Sequence, residues 1–516
     1  MRIRPITSAI VLAGATLAGA TLAALPMTAA QADTTVAQAV AAAQPGAAPQ
    51  PGSAAAQTSP AGGVALPLQT YFQMVVDSAH QHLFFSQGNP AENGILVTNF
   101  SGRTVATIGH QVGVAGIALS PDGKTLYAAL SGLHEVTAIS TATLRQTAAY
   151  RLGDANAPVS VAVQSGRLWV SYDTSVPGFD GAIGYFNLSA ADPALQTSSA
   201  LDAPPSPAVS EWYSAPLIAA DPTGRGNVLV AMQPDSEPAN TASYDTAVSP
   251  PRLRSSAWGL IMSDGYDCSD VQDIAVVPGG GQFIPACDQE ITPNTRFSTE
   301  NFKPQGSYPT PKYSDALAIA PETGLVATGV NGSLPDVLVY PPGTNSPLDL
   351  ISAGRYGLAP RGLGLTANGS KLFALAMDAP MVIGPYDSQN PGVTLHVYTL
   401  PRVTAKLGGY YATARAGGVS YRLYHRAARL ADAVSVAPAE AGQCVELQTQ
   451  YDDGGWVTAA TSGCTSLNSS GAATARLTLS KDHLGDPYRV RALYLSTGGS
   501  GNLEAEGGWQ SFKVTS

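Results

Sequence analysis

Any chemistry in this chain has to come from carboxylates and aromatic rings. They gather most densely between 210 and 313, as Trp212, Tyr213, Asp235, Glu237, Tyr244, Trp258, Asp264, Tyr266, Asp267 and Asp270, together with Asp273 and Tyr308. Rings interleaved with carboxylates can stack on a sugar, hold a cation or grip a peptide, and the same rings can instead pack loops while keeping one polar edge wet. The run Asp264-Gly265-Tyr266-Asp267-Cys268-Ser269-Asp270 has the carboxylate density of a calcium loop. It lacks the regular ligand spacing and terminal Glu of an EF-hand. Structural calcium is therefore the one ion the pattern leaves open, and no other cofactor is expected.

Other chemistries lack their residues. His80 and His82 stand close together without a visible third ligand, and His110, His134 and His396 are scattered, so no metal site is expected. No carboxylate pair is set apart as general acid and base. Gly279-Gly280-Gly281 has no following Lys-Ser and no helix, so it reads as a turn rather than a phosphate cradle. No catalytic residue is assigned. The net charge is −10 with only 12% of residues charged, so there is no basic stripe to neutralise phosphates and nucleic acid is not an expected partner.

The elements that carry these residues repeat at intervals of roughly 40 to 57 residues. The clearest copy is Gly116-Ile117-Ala118-Leu119-Ser120-Pro121-Asp122-Gly123-Lys124-Thr125-Leu126-Tyr127-Ala128-Ala129, an apolar strand, a tight polar turn and a second strand. Pairs of the same kind start at Val75, Ser160, Leu217, Ile274, Leu317 and Leu363, which makes seven with the first. Two further strands follow most pairs, as in Glu135 to Ile139 and Arg145 to Tyr150. Four short strands per repeat with turn chemistry between them predict the blades of a β-propeller at 64–401, and an all-β chain. The last repeat has no clear fourth strand, and Val64 to Thr70 can supply it and close the ring.

Through Ala118 to Tyr127, and more loosely through Leu83 to Ser86 and Val105 to Gly109, the repeat resembles the YVTN family of β-propellers. That resemblance implies a fold and no substrate, because propellers host binding proteins and several unrelated enzymes.

Outside the repeats, residues 1–32 read as a signal peptide: Arg2 and Arg4, an apolar run from Ile10 to Ala24, and Ala30-Gln31-Ala32 before a mature start at Asp33. Residues 33–63 are Ala, Pro, Gln and Gly with little to bury, a disordered linker. No later apolar run is long enough to span a bilayer, so a secreted, extracellular and monomeric protein is expected. The four cysteines fall into two local pairs, Cys268 with Cys287 and Cys444 with Cys464, as expected for structural disulfides in an exported chain. From 402 to 516 strands of period two recur, among them Cys444 to Gln450, Trp456 to Thr458, Ala475 to Leu479, Tyr488 to Ala492 and Gln510 to Val514. They predict a small β-sandwich that resembles the immunoglobulin-like modules of exported bacterial proteins.

Loop length gives a direction to the propeller. Within a blade, the turns after the first and third strands share one face, and the connections after the second and fourth share the other. The first-strand turns are short, whereas insertions are expected at 174–180, 203–212, 233–240, 263–267, 293–310 and 378–389, mostly on the second face. That face is expected to bind a protein, a peptide or a cell-surface glycan. The alternative is an enzyme on the same scaffold, a lactonase, lyase or quinone-dependent dehydrogenase, with its groups at the mouth of the central channel.

Overall fold

The computed structural model describes residues 57–58, 62–88, 94–154, 156–174, 180–201, 212–234, 236, 238–263, 265–289, 293–379, 392–438, 443–452, 454–479, 483–495 and 503–516. The signal peptide expected at 1–32 lies outside them. Among the described residues there is no α-helix, and no helix is long and apolar enough to cross a membrane.

Between Gln73 and Thr399 the chain folds into successive antiparallel sheets, each bonded in chain order. Their first strands are Gln73–Asp77, Val114–Leu119, Ala157–Gln164, Leu217–Ala220, Val271–Val276, Ser314–Ile319 and Leu358–Leu365. These inner strands neighbour one another in sequence, and Leu358–Leu365 packs against Gln73–Asp77. Such a cycle is a β-propeller. Val64–Ala65 pairs antiparallel with Val393–Thr399 and so gives the last sheet its outer strand from the start of the chain.

Burial follows from that geometry. The second strands are apolar on both sides, as in Thr125–Leu130 and Lys371–Met377, because each is pressed between two neighbouring sheets. Outer strands such as Gln146–Arg151 face water and are polar. The core is accordingly divided into layers between sheets. One layer joins Phe84, Ile95 and Val97 to Val114, Ile117 and Leu126 of the next sheet. Another joins Leu83 and Phe85 to Phe373, Leu375 and Met377, and closes the circle.

Side chains also stitch neighbouring inner strands. The Ile117 N–H donates to Gln73 Oε1 at 2.9 Å, the Ile218 N–H to Ser160 Oγ at 3.3 Å, and the Leu317 N–H to Asp273 Oδ2 at 2.8 Å. In the second sheet the position equivalent to these donors' partners is Gly116. A Cβ there would lie 2.6 Å from the Val159 carbonyl oxygen, so the second and third inner strands approach backbone to backbone.

Three expectations change. Residues 293–310 are not an insertion: Asn294–Ser298 and Pro304–Tyr308 are the outer strands of the fifth sheet, with Phe297 buried. Among the described residues the third sheet keeps three strands, and its fourth is reduced to isolated bridges of Tyr185 with Gln196 and of Gly181 with Trp212. The intervening segment contains Pro193, which has no N–H for a ladder. Finally, Gln57–Thr58, inside the stretch expected to be a disordered linker, pairs parallel with Ile351 and Ser352; the backbone supplies this bond without needing apolar side chains.

The C-terminal residues form two sheets around their own core. Arg402–Gly408, Arg429–Ala437 and Ala472–Thr478 make one. The other contains Cys444–Asp452, Pro487–Leu495 and Gln510–Thr515, with Ala412–Ala416, Val419–His425 and Trp456–Thr461 toward its edges. Strict alternation in Pro487–Leu495 turns Tyr488, Val490, Ala492 and Tyr494 inward against Leu430, Val434 and Leu477. The passage from the propeller into these sheets is itself the strand Arg402–Gly408.

The two parts touch. Leu503, 1% exposed, inserts among Val337, Ile351, Leu372 and Leu400 of the propeller. Its N–H donates to the Thr399 carbonyl at 2.7 Å. This contact lies at the end of Val393–Thr399, on the face of short turns.

Candidate functional site

The connections that follow second and fourth strands open on the face opposite to Leu503. Their best-defined protrusion is the segment 259–268. Its ladder is local: Met262 N–H donates to the Tyr266 carbonyl at 2.7 Å, Gly265 N–H to the Met262 carbonyl at 3.0 Å, and Cys268 N–H to the Leu260 carbonyl at 2.9 Å. Period-two alternation then sorts the side chains. Leu260 and Met262 are buried in the layer between the fourth and fifth sheets, while Ile261 is 55% and Tyr266 59% exposed.

The disulfide between Cys268 and Cys287, with Cα atoms 5.6 Å apart, anchors this protrusion to the last residue of Gln282–Cys287. Both cysteines are buried, so the bridge is a staple inside the layer. Cys444 and Cys464 are likewise bonded, with Cα atoms 5.4 Å apart. Of the stretch with the carboxylate density of a calcium loop, Gly265 to Cys268 form the return of the protrusion through the bridge of Asp267 with Ile261, and Asp267 lies against Gly259, where an added Cβ would meet its Oδ1 at 2.6 Å.

The remaining sequence-derived residues divide by burial. Trp212 and Tyr244 are packed with Trp169 and Tyr185 in the layer between the third and fourth sheets, and the Trp212 indole N–H donates to the Leu201 carbonyl at 3.3 Å. Tyr308 is also buried. Tyr213 is half-buried, with its backbone N–H donating to Gln233 Oε1 at 3.1 Å. Trp258 at the end of Arg252–Trp258 is exposed, as are the adjacent Tyr266 and Asp267, and Asp270 is half-buried. Asp235, Glu237 and Asp264 lie outside the described residues.

Further residues on this face were not singled out from sequence. Leu133 is 42%, Tyr313 37% and Leu334 59% exposed, each in a loop of the same face. Among the described residues of the propeller, the other exposed large apolar side chains, Val64 and Val105, lie on outer strands. The available signal was an apolar residue within a polar loop, which by itself is commonplace.

Beneath the centre of the same face sits a second group. Tyr71 Oη donates to the Arg361 carbonyl at 2.8 Å, Arg361 Nε donates to the Phe72 carbonyl at 3.2 Å, and the guanidinium lies 4.1 Å from the Phe72 ring centroid. Burial pushes Asp273 up to about 7, opposed by the Leu317 N–H and by the Arg361 charge. Burial, then the charges of Asp288 and Asp273, raise Asp315 well above the usual carboxylate range. Asp336 is pushed up to about 6 by burial, although the Ala353 and Gly354 N–H groups hold its oxygens. Asp315 and Asp336 are 1% and 0% exposed. Among the described residues no three His, Cys, Asp or Glu side chains converge closely enough to hold a metal ion. His80, bonded to Asp77 through Nδ1 at 2.8 Å, and His82 lie at the opposite, short-turn face.

No protein-family model and no curated protein matches the chain. Solved structures do. A chain of the mitotic checkpoint complex aligns at 12% identity over 70% of this chain and 98% of its own, with a TM-score of 0.48. The β-propeller domain of Myceliophteria thermophila Cps50 (Swd1) aligns at 8% identity over 64% and 97%, with a TM-score of 0.46. A chain of Kuenenia stuttgartiensis hydrazine synthase aligns at 15% identity over 64% and 96%, with a TM-score of 0.42. Likenesses at this level carry no function across; the chain is a β-propeller by its own sheets and the apolar layers that close them into a ring.

Proposed function

We propose that the chain is an exported binding protein, a seven-bladed propeller of YVTN type at 64–401 followed by an immunoglobulin-like β-sandwich at 402–516. Its loop face would receive a protein, peptide or glycan partner outside the cell. One observation carries this reading: Leu133, Trp258, Ile261, Tyr266, Tyr313 and Leu334 are exposed on a single face, while the C-terminal module occupies the other. Exposed apolar groups scattered at random need no explanation, but their gathering on one face favours association. The two disulfides accord with an oxidising compartment.

The test is to compare the intact chain with an Ile261→Ser, Tyr266→Ser variant on peptide and glycan arrays. Signals of the parent should vanish for the variant and survive Glu322→Gln on the turn face; signals indifferent to the loop-face change would sink the reading. Secretion is checked by sequencing the N-terminus of protein recovered from culture medium, expected to begin at Asp33.

The raised carboxyls favour a second reading, catalysis at the channel mouth, since an acid such as Asp273 near 7 suits proton transfer at neutral pH. A general acid must come within hydrogen-bond reach of its substrate, whereas Asp273 already accepts from the Ile274 and Leu317 N–H groups and Asp315 and Asp336 are buried. Turnover of a lactone by the parent chain, abolished in Asp273→Asn, would establish it.

A further inference from the structure

We infer that the partner of the loop face is a cationic polypeptide segment with an apolar side chain, an inference that rests on the binding reading above and names its partner class. The chain's charge is not evenly spread. Loops after second strands carry Asp180, Asp288, Asp336 and Asp378, and loops after fourth strands carry Asp154, Asp267 and Asp270. Against these seven the described parts of the same loops hold two cations, Lys312 and Arg355.

The short-turn face is balanced. Its turns hold Asp122, Asp192, Asp221, Glu300 and Glu322 against Arg103, Lys124, Arg145, Arg225 and Lys303. The asymmetry is therefore a property of one face and not of the acidic chain as a whole.

That face joins two recognition elements. Ile261 and Tyr266 stand out from the protrusion, next to the exposed Asp267, and they offer apolar area to a partner side chain. Asp154, Asp267 and Asp378 are exposed in loops of the same face. An excess of charge of one sign on a face sets up a field that draws in an arriving cation, screened by salt over about a Debye length, roughly 10 Å at moderate salt. The same field repels anionic polymers and anionic lipid surfaces. A lone metal ion or polyamine would use the carboxylates and leave the apolar knob idle, whereas a basic peptide with an apolar residue uses both.

The probes are three labelled synthetic peptides of equal length, alternating Lys–Leu, Ser–Leu and Glu–Leu, titrated against the intact chain. Two triple variants carry the same change in net charge: Asp154→Asn, Asp267→Asn, Asp378→Asn on the loop face, and Asp122→Asn, Asp192→Asn, Glu322→Gln on the turn face. The Lys–Leu peptide should bind best and lose affinity with added salt. The loop-face triple should weaken it roughly tenfold and the turn-face triple less than about twofold. Equal loss in both triples, or no Lys–Leu binding, overturns the inference. If the Ser–Leu or Glu–Leu peptide binds as well and depends on Ile261 and Tyr266, the cationic inference falls while the face survives. If no peptide depends on those two residues, both fall.

Discussion

The backbone N–H of Glu504 donates to Asp349 Oδ1 at 2.9 Å, joining the C-terminal module to the outer strand of the sixth sheet. Asp349 is buried, and burial followed by the Glu504 charge raises its carboxyl well above the ordinary range. Burial raises Glu504 as well. The joint is therefore held by Leu503 in an apolar layer and by an acid pair that resists double ionisation.

Leu503→Ala should cost about 2 to 5 kcal/mol of the coupling between propeller and module, because a buried leucine leaves both lost contacts and a cavity. Small-angle scattering should report a wider spread of module positions. An unchanged scattering profile would show that other contacts hold the joint.

Stability should fall as the pH rises through the carboxylate range toward neutrality. Asp273 at about 7, Asp336 at about 6 and Asp432 at about 6 bind protons in the folded chain that the unfolded chain has already released. Their contribution is complete below the unfolded value near 3.8 and is lost as pH climbs through the folded values. Thermal midpoints measured from pH 4 upward should decline, and Asp273→Asn, whose amide oxygen can still accept from Leu317, should flatten the slope. A midpoint that rises over this interval would contradict the burial of these groups.

Replacing Cys268 and Cys287 together by Ser should lower stability by about 2 to 4 kcal/mol in denaturant titrations, the loss expected for opening a loop of this size. The sequence separation is 19. Faster proteolysis within 259–267 should accompany it. If the protease pattern is unaltered, the protrusion is held by Leu260 and Met262 alone.

Gly116→Ala should be costly although alanine is small. The new Cβ would sit 2.6 Å from the Val159 carbonyl oxygen, and backbone on both sides leaves little room to yield. A loss of about 1 to 3 kcal/mol is expected from such overpacking, read as a lowered thermal midpoint. Alanine at Gly123, where no atom lies within 4 Å, should act through its positive φ of 70° alone.

The turn after Leu119 shows why so much of the scaffold was legible. Ser120 N–H donates to the Thr125 carbonyl at 2.8 Å, Asp122 Oδ1 accepts from the Ser120 hydroxyl at 2.6 Å, and Gly123 takes the left-handed conformation. Every partner lies within five residues, so the composition Ser-Pro-Asp-Gly-Lys already contains the turn. The outer strands of the fifth sheet were missed because 293–310 contains Pro293, Pro304 and Pro309 and a polar turn at 299–303, which mimic a loop. Only pairing with Gln282–Cys287 reveals them.

The sequence by itself determined the strands, the tight turns and the all-β class, because these depend on side-chain period and on hydrogen bonds closed within a few residues. Tertiary structure alone decided that Trp212 and Tyr244 belong to a layer between sheets while Tyr266 and Ile261 face outward. It also decided that Tyr71, Asp273, Asp315 and Arg361 share one mouth, and that Leu503 reaches the face opposite to it. The physical reason is the ring closure: it places residues hundreds of positions apart on neighbouring strands, and burial and charge are set by those neighbours rather than by any local pattern.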